Sequence, residues 1–304
     1  MNKLISNIIE KNNEPYYDAG LDVIRVSGID NKKFLQGQLT NDIVSLQDQK
    51  YKLASYCTHQ GKVISNMQLI LDDDDVIILL PKHLSEYFIE KISKYILMSK
   101  VEFNIDSKSV VLSGLGEEAL SIINKYNVTI PGGYKKIDNS NIIVNMSTSS
   151  IPQCRCILFD SEQEVGMAYA NADQYSTCLI DLFNLITRLR VENIEKYIPQ
   201  VLNADKLDTV NYKKGCYTGQ EVIARTHYLG NVKKHVYLVN ITATEITEKN
   251  VVNNDGESVG ELIGESFIHE NITLSHCILR DSSDFDELFI DKDKVCVISM
   301  EETF

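Results

Sequence analysis

"KKGCYTGQEVIAR", residues 213–225, seats one cysteine, Cys216, between a lysine pair and a tyrosine, inside a bracket formed by Gly215 and Gly219. Most free cysteines in soluble proteins pack as small buried hydrophobes. A thiol in a polar, cation-flanked turn is placed for use. The two glycines let the backbone turn sharply or approach a ligand closely. Lys213 and Lys214 favour a thiolate at Cys216 if they face the sulfur. Thr218 reads as the N-cap of the next helix, on which Glu221 and Arg225 pair four residues apart. The N-terminus of that helix beside the sulfur would act in the same direction. The residues leave one alternative open, a cysteine that only fills a structural turn. His227 lies eleven positions on and nothing places it at the sulfur, so a cysteine–histidine dyad carries little weight.

Outward from this stretch the chain alternates strand and helix patterns. Residues 21–26 are extended, and Ser27 or Asp30 can cap a helix carrying Phe34 and Leu35 that Gly37 helps to end. "KLASYCTHQGKVISNMQLILDDDDVIILLP" gives three strands split by "HQGK" and by the acidic turn 72–75. Apolar residues at 84, 88, 92, 95 and 96 predict an amphipathic helix. Next come strands at "KVEFNI" and "SVVLSGL", a helix at "GEEALSIINKY" and strands near 141–146 and 154–160. A long helix is then expected over "ADQYSTCLIDLFNLITRLRVE". Past Gly230 short alternating strands separated by Asn, Asp and Gly turns predict a small β-barrel. The expected units are 1–105, 106–232, ending with the cysteine motif and free to interleave with the first, and a barrel over 233–304.

Composition bounds the function. The chain has 304 residues, 43% hydrophobic and 24% charged, enough for two or three domains. Its longest apolar run, "VIILL", is strand-sized, so no membrane span is expected. The first residues lack a small-residue cleavage site, and the seven cysteines contain no C-x-x-C pair, which together suggest a reducing cytoplasm. Cys154 and Cys156 sit two apart, on one face of a strand, which suits core packing better than a metal site. The formal charge of −13 argues against direct RNA or DNA binding as the main activity. A local basic group such as Lys213, Lys214, Arg225, Lys233 and Lys234 could still attract a small anion.

"KKGCYTGQE" closely resembles the signature of the YgfZ family, folate-binding relatives of the glycine-cleavage T-protein. "FLQGQLTND" (34–42), "CTHQGKVISNMQLI" (57–70), "YILMSKVEFNI" (95–105) and "YIPQ" followed by Asn203 resemble further family segments. The resemblance implies an α+β fold. Two α/β domains of ferredoxin-like or Greek-key type and a C-terminal β-barrel would form a three-domain cloverleaf around a central opening for tetrahydrofolate or a derivative. It also implies support of iron–sulfur enzymes, such as radical tRNA-modifying enzymes, with the motif cysteine mapping onto Cys216. Folate contacts are expected from Leu21, Ile186, Arg190, Glu192, Lys214 and Tyr217. Leu21 and Ile186 occupy places where better-known members carry tryptophan, which this chain lacks. Where T-proteins use an aspartate in a "Q-G-G-I-x-D-D" hairpin, this chain reads "Q-G-K-V-I-S-N", so Ser65 and Asn66 replace the acids. Neither side chain can act as a carboxylate base. A one-carbon transferase using tetrahydrofolate is the alternative reading.

Overall fold

The structure, a computed structural model, describes residues 16–137, 141–147, 151–159, 178–243, 245–269 and 271–298. In chain order the strands that matter here are β1 (Tyr16–Asp18), β2 (Leu21–Ser27), β3 (Tyr51–Cys57), β4 (Val63–Asp72), β5 (Asp75–Pro81) and β6 (Glu102–Ile105). They are succeeded by β7 (Val110–Leu115), β8 (Tyr134–Ile137), β9 (Asn141–Asn145) and β10 (Gln153–Leu158). A first sheet has the order β3-β4-β5-β2-β6, and a second the order β1-β7-β10-β9-β8. β1 pairs antiparallel with β7, so the chain enters through the second sheet before it builds the first.

The first sheet owes its solidity to β4 and β5, whose apolar runs are buried along almost their whole length. Helix α1 (Asn31–Gln38) seats Phe34 and Leu35 in the core, and runs one residue beyond Gly37. Helix α2 is the short turn Leu46–Gln49. Helix α3 (Lys82–Ser93) covers the sheet with Leu84, Phe88 and Ile92, the spacing read from the sequence. Each such side chain, fully buried, stabilises by roughly 1.5–3 kcal/mol. Phe88 also meets Tyr56 and Phe103 edge to face. The acidic hairpin at 72–75 is only partly a solvated turn. Asp72 is buried, with Arg25 at 3.0 Å and Lys136 at 2.7 Å, whereas Asp74 is fully exposed. In the second sheet helix α4 (Gly116–Lys125) packs on Cys154, Cys156 and Ile143, and both thiols lie in its apolar core.

The described residues 178–192 do not form the long helix expected before the cysteine motif. Residues 172–177 lie outside the described part, and the chain resumes with one turn, α5 (Leu179–Phe183). Leu185 then takes a left-handed conformation (φ 54) and the backbone of Ile186 returns to the carbonyl of Asp181, which ends the helix. The chain continues extended so that Arg188 can accept a backbone bond from Glu265 in the barrel. Helix α6 (Gln220–Leu229) leads out of the cysteine motif.

The C-terminal strands β11 (Lys234–Ile241), β12 (Asn250–Asn253), β13 (Ser258–His269), β14 (Ile272–Arg280), β15 (Leu288–Ile290) and β16 (Asp293–Ile298) form a closed barrel. It closes where β16 pairs back onto β11, so no edge is left open. β13 carries a bulge between Ile263 and Ser266. Gly264 sits in it at φ +71, and a Cβ there would stand 2.6 Å from the Arg188 carbonyl. Only glycine lets the barrel approach the segment that crosses to it, residues 184–190, this closely.

Candidate functional site

The motif segments meet. Lys214 turns away from the exposed surface and its Nζ donates to the backbone carbonyls of Gln36 (2.7 Å), Leu39 (2.8 Å) and Asn41 (2.8 Å). Three acceptors match the three N–H bonds of an ammonium group. Burial pulls Lys214 down to about 8, with Asp42 drawing it back upward, so the side chain is charged at neutral pH. The Tyr217 ring lies 5.0 Å from the same Nζ and is itself buried. Thr218 donates its backbone N–H to Gly37 and its hydroxyl to Gln38. Upstream, Thr40 and Asn41 hydrogen-bond the carbonyls of Thr209 and Asp208. "FLQGQLTND" and "KKGCYTGQE" are therefore two halves of one joint.

The third segment closes it from the other side. Gly219, at φ +83, leaves room of only 2.5 Å between a notional Cβ and the Thr58 carbonyl, and 3.0 Å to Gly61. Gly219 rather than Thr218 occupies the N-cap position of α6, and no side chain caps the helix. The Thr218 hydroxyl is spent on Gln38 instead, since the turn is fixed by contacts distant in sequence.

Cys216 stands exposed on this joint. Among the seven free cysteines only Cys216 and Cys296 are exposed; Cys57, Cys154, Cys156, Cys178 and Cys277 are buried. Burial pushes the Cys178 thiol up to about 12 and raises Cys57 and Cys277 further, which suppresses thiolate there. The expectation that both lysines serve the sulfur needs correction at Lys214, whose donors are all committed to carbonyls. Lys213 is exposed.

The remaining candidate residues lie elsewhere. Leu21 and Ile186 are 4% and 6% exposed and belong to the main apolar core. Arg190 lines a cavity of about 110 Å³ between the crossing segment and the barrel, with Asn193, Lys249 and Leu262 among its walls. Glu192, just beyond it, is exposed, and Lys249 at 2.7 Å holds its carboxyl below the usual range. No residue of the Cys216 turn lines that cavity. Glu192 and Arg190 have the chemistry to meet a pterin edge, because a carboxylate accepts two parallel N–H bonds. The cavity falls short of the roughly 300 Å³ of a site that encloses a whole ligand. Glu192 does not line it and is held at its margin by Lys249, which does.

At the T-protein acid positions, Ser65 is fully buried. Asn66 accepts from the Ser55 hydroxyl at 2.7 Å and donates to the Thr187 carbonyl at 3.2 Å. Its amide is used as a strut.

A second constellation gave no sign of itself as a motif. Asp181 on α5 receives Arg155 of β10 at 3.0 Å, Arg188 at 2.5 Å and Gln68 of β4 at 3.3 Å. Arg188 reaches on to Glu265 of β13 at 3.3 Å. Burial opposes ionisation of Asp181, but the two guanidinium groups outweigh it and hold the carboxyl below its usual range. The two sheets and the barrel thus converge on one buried carboxylate. The available signals were an arginine between two core cysteines and an aspartate inside "LIDLF".

A mixed α/β body of two sheets and a closed six-stranded barrel defines a T-protein-like fold, and an exposed cysteine turn stands at its motif joint. The crystal structure of the glycine cleavage system aminomethyltransferase T from Bartonella henselae superposes with a TM-score of 0.71. That match covers 95% of this chain and 86% of that one at 10% identity. No family model matches the chain. The tRNA-modifying protein YgfZ of Photobacterium profundum is 30% identical over 236 residues, 75% of this chain and 69% of the relative. Those of Aliivibrio fischeri strain MJ11 (28% over 281 residues, covering 88% and 85%) and Escherichia coli O157:H7 (27% over 266 residues, covering 84% and 78%) are similar over more of their length. The chain belongs to the YgfZ family.

Proposed function

We propose that this protein is a folate-dependent accessory factor that supports iron–sulfur enzymes acting in tRNA modification, with Cys216 as its working thiol. One observation carries the reading. Three sequence segments, 34–42, 57–61 and 213–219, are spent on holding a single turn whose cysteine stays exposed. A structural filler would be buried like Cys57. The relatives' shared description as tRNA-modifying proteins and the T-protein-like fold support the folate and tRNA part of the reading. Ser65 and Asn66 at the acid positions argue against aminomethyl transfer, since neither offers a carboxylate. Reduced folate is the proposed ligand, with Arg190 and Glu192 meeting the pterin edge, whereas Leu21 and Ile186 lie in the apolar core and do not line the Arg190 cavity. In this reading Lys214 and Tyr217 shape the turn. The protein works in the cytoplasm and contacts its client enzymes rather than nucleic acid.

The test is genetic. A strain lacking the gene is assayed for iron–sulfur-dependent tRNA modification by nucleoside mass spectrometry and complemented with wild type or Cys216→Ala. Wild type is expected to restore modification and the variant to fail at equal protein level. Full complementation by Cys216→Ala would return the cysteine to a structural role.

A further inference from the structure

We infer that the far end of helix α6 carries a second ligand site, for an organic oxyanion with an apolar body. The helix spans ten residues from the cysteine turn. At about 1.5 Å per residue its C-terminus stands roughly 15 Å from that turn. Beyond it opens a cavity of about 660 Å³ floored by Ile198, Val201 and Val232 and rimmed by Lys233, Lys234 and Arg280. The cavity is open to solvent, and its volume falls within the range of small-ligand sites.

The charges are what mark it. Lys234 and Arg280 are direct cross-strand partners in the β11–β14 ladder, and Lys233 precedes them. Like charges placed opposite one another destabilise a sheet. None of the three has an ion-pair partner among the described residues, and all three are exposed. The neighbouring acid Asp281 is committed to His235 at 2.9 Å and Tyr237 at 3.2 Å. Glu261 faces Lys234 and Arg280 from an adjoining cavity of about 290 Å³. In a chain with 43 acidic and 30 basic residues, these three cations stand together with no ion pair among the described residues. A bound oxyanion relieves the repulsion while an apolar body fills the floor. Phosphate esters and dicarboxylates share this chemistry. A long polyanion such as RNA is disfavoured by the net charge of −13.

The test uses the full chain and calorimetry with phenyl phosphate and benzylsuccinate as probes, and phenol and inorganic phosphate as controls. At least one probe is expected to bind about tenfold or more tighter than either control, and to weaken severalfold from about 0.05 to about 0.3 M salt. The double variant Lys234→Gln with Arg280→Gln should lose at least about tenfold in probe affinity. Its melting temperature without ligand should equal or exceed that of wild type by about 1–3 °C, because the repulsion is gone. Which probe binds decides between phosphate and carboxylate. Equal binding by wild type and double variant, phosphate alone binding as tightly as phenyl phosphate, or a double variant that melts lower than wild type would each overturn the site. So would a labelled RNA oligonucleotide that binds through these residues more tightly than either probe.

Discussion

The joint around Lys214 and the junction around Asp181 both fasten distant parts of the chain, and they are built from opposite materials. At the first, one half-buried ammonium meets three backbone carbonyls from the end of helix α1 and the residues that follow it. At the second, a buried carboxylate is shared by the guanidinium of Arg155 and the amide of Gln68, from two different sheets, and by the guanidinium of Arg188 from the segment after α5. Each is therefore vulnerable in its own way. Water can replace a donor at the first joint, because it borders the surface. At the second nothing can replace a missing partner, so its net contribution is modest while its loss is severe.

The largest effect should come from Asp181→Ala. Removing it leaves Arg155 and Arg188 buried without that counter-charge, at a cost of about 3–5 kcal/mol. Urea unfolding of the purified variant measures this. A loss below about 1 kcal/mol would mean that water reaches the junction and that the two joints do not differ in kind.

A smaller effect is expected from acid. His276 in β14 is buried and bonded to the Leu182 carbonyl at 3.0 Å, beside the Asp181 junction. Burial lowers it to about 4, against the pull of that bond and of Asp181. The unfolded imidazole takes its proton near 6.5 and the folded one near 4. Between them the unfolded chain binds more protons, so stability falls as pH falls through that window, by about 3 kcal/mol at its end. His276→Gln should remove that part of the slope. An unchanged acid limb between pH 6.5 and 4 would place the proton elsewhere.

Lys214→Met should cost least, about 1–3 kcal/mol, as three carbonyls trade a charged donor for water. Denaturant unfolding checks the magnitude, and Cys216→Ser, at an exposed position, serves as a control expected within about 0.5 kcal/mol of wild type. A loss at Lys214 equal to that at Asp181 would erase the contrast between the two joints.

The local grammar of this protein is written in its residue order. The spacing of Leu84, Phe88 and Ile92 specified a helix, the apolar runs of β4 and β5 specified buried strands, and the alternation past Gly230 specified the barrel, because periodicity comes directly from backbone geometry. Residue order also singled out Cys216, whose polar and glycine-flanked setting is unlike that of a core thiol. The roles of its neighbours were settled only by folding. Lys214 was legible as a cation beside the sulfur, but carbonyls about 175 positions away claim it. Thr218 was legible as a cap, but Gln38 takes its hydroxyl. The apolar pattern over 179–189 suited a long helix. The chain unwinds after Phe183 because Arg188 gains a buried carboxylate on one side and the barrel backbone on the other. Charged and hydrogen-bonding groups choose partners by three-dimensional distance, and no periodicity in a chain encodes that distance.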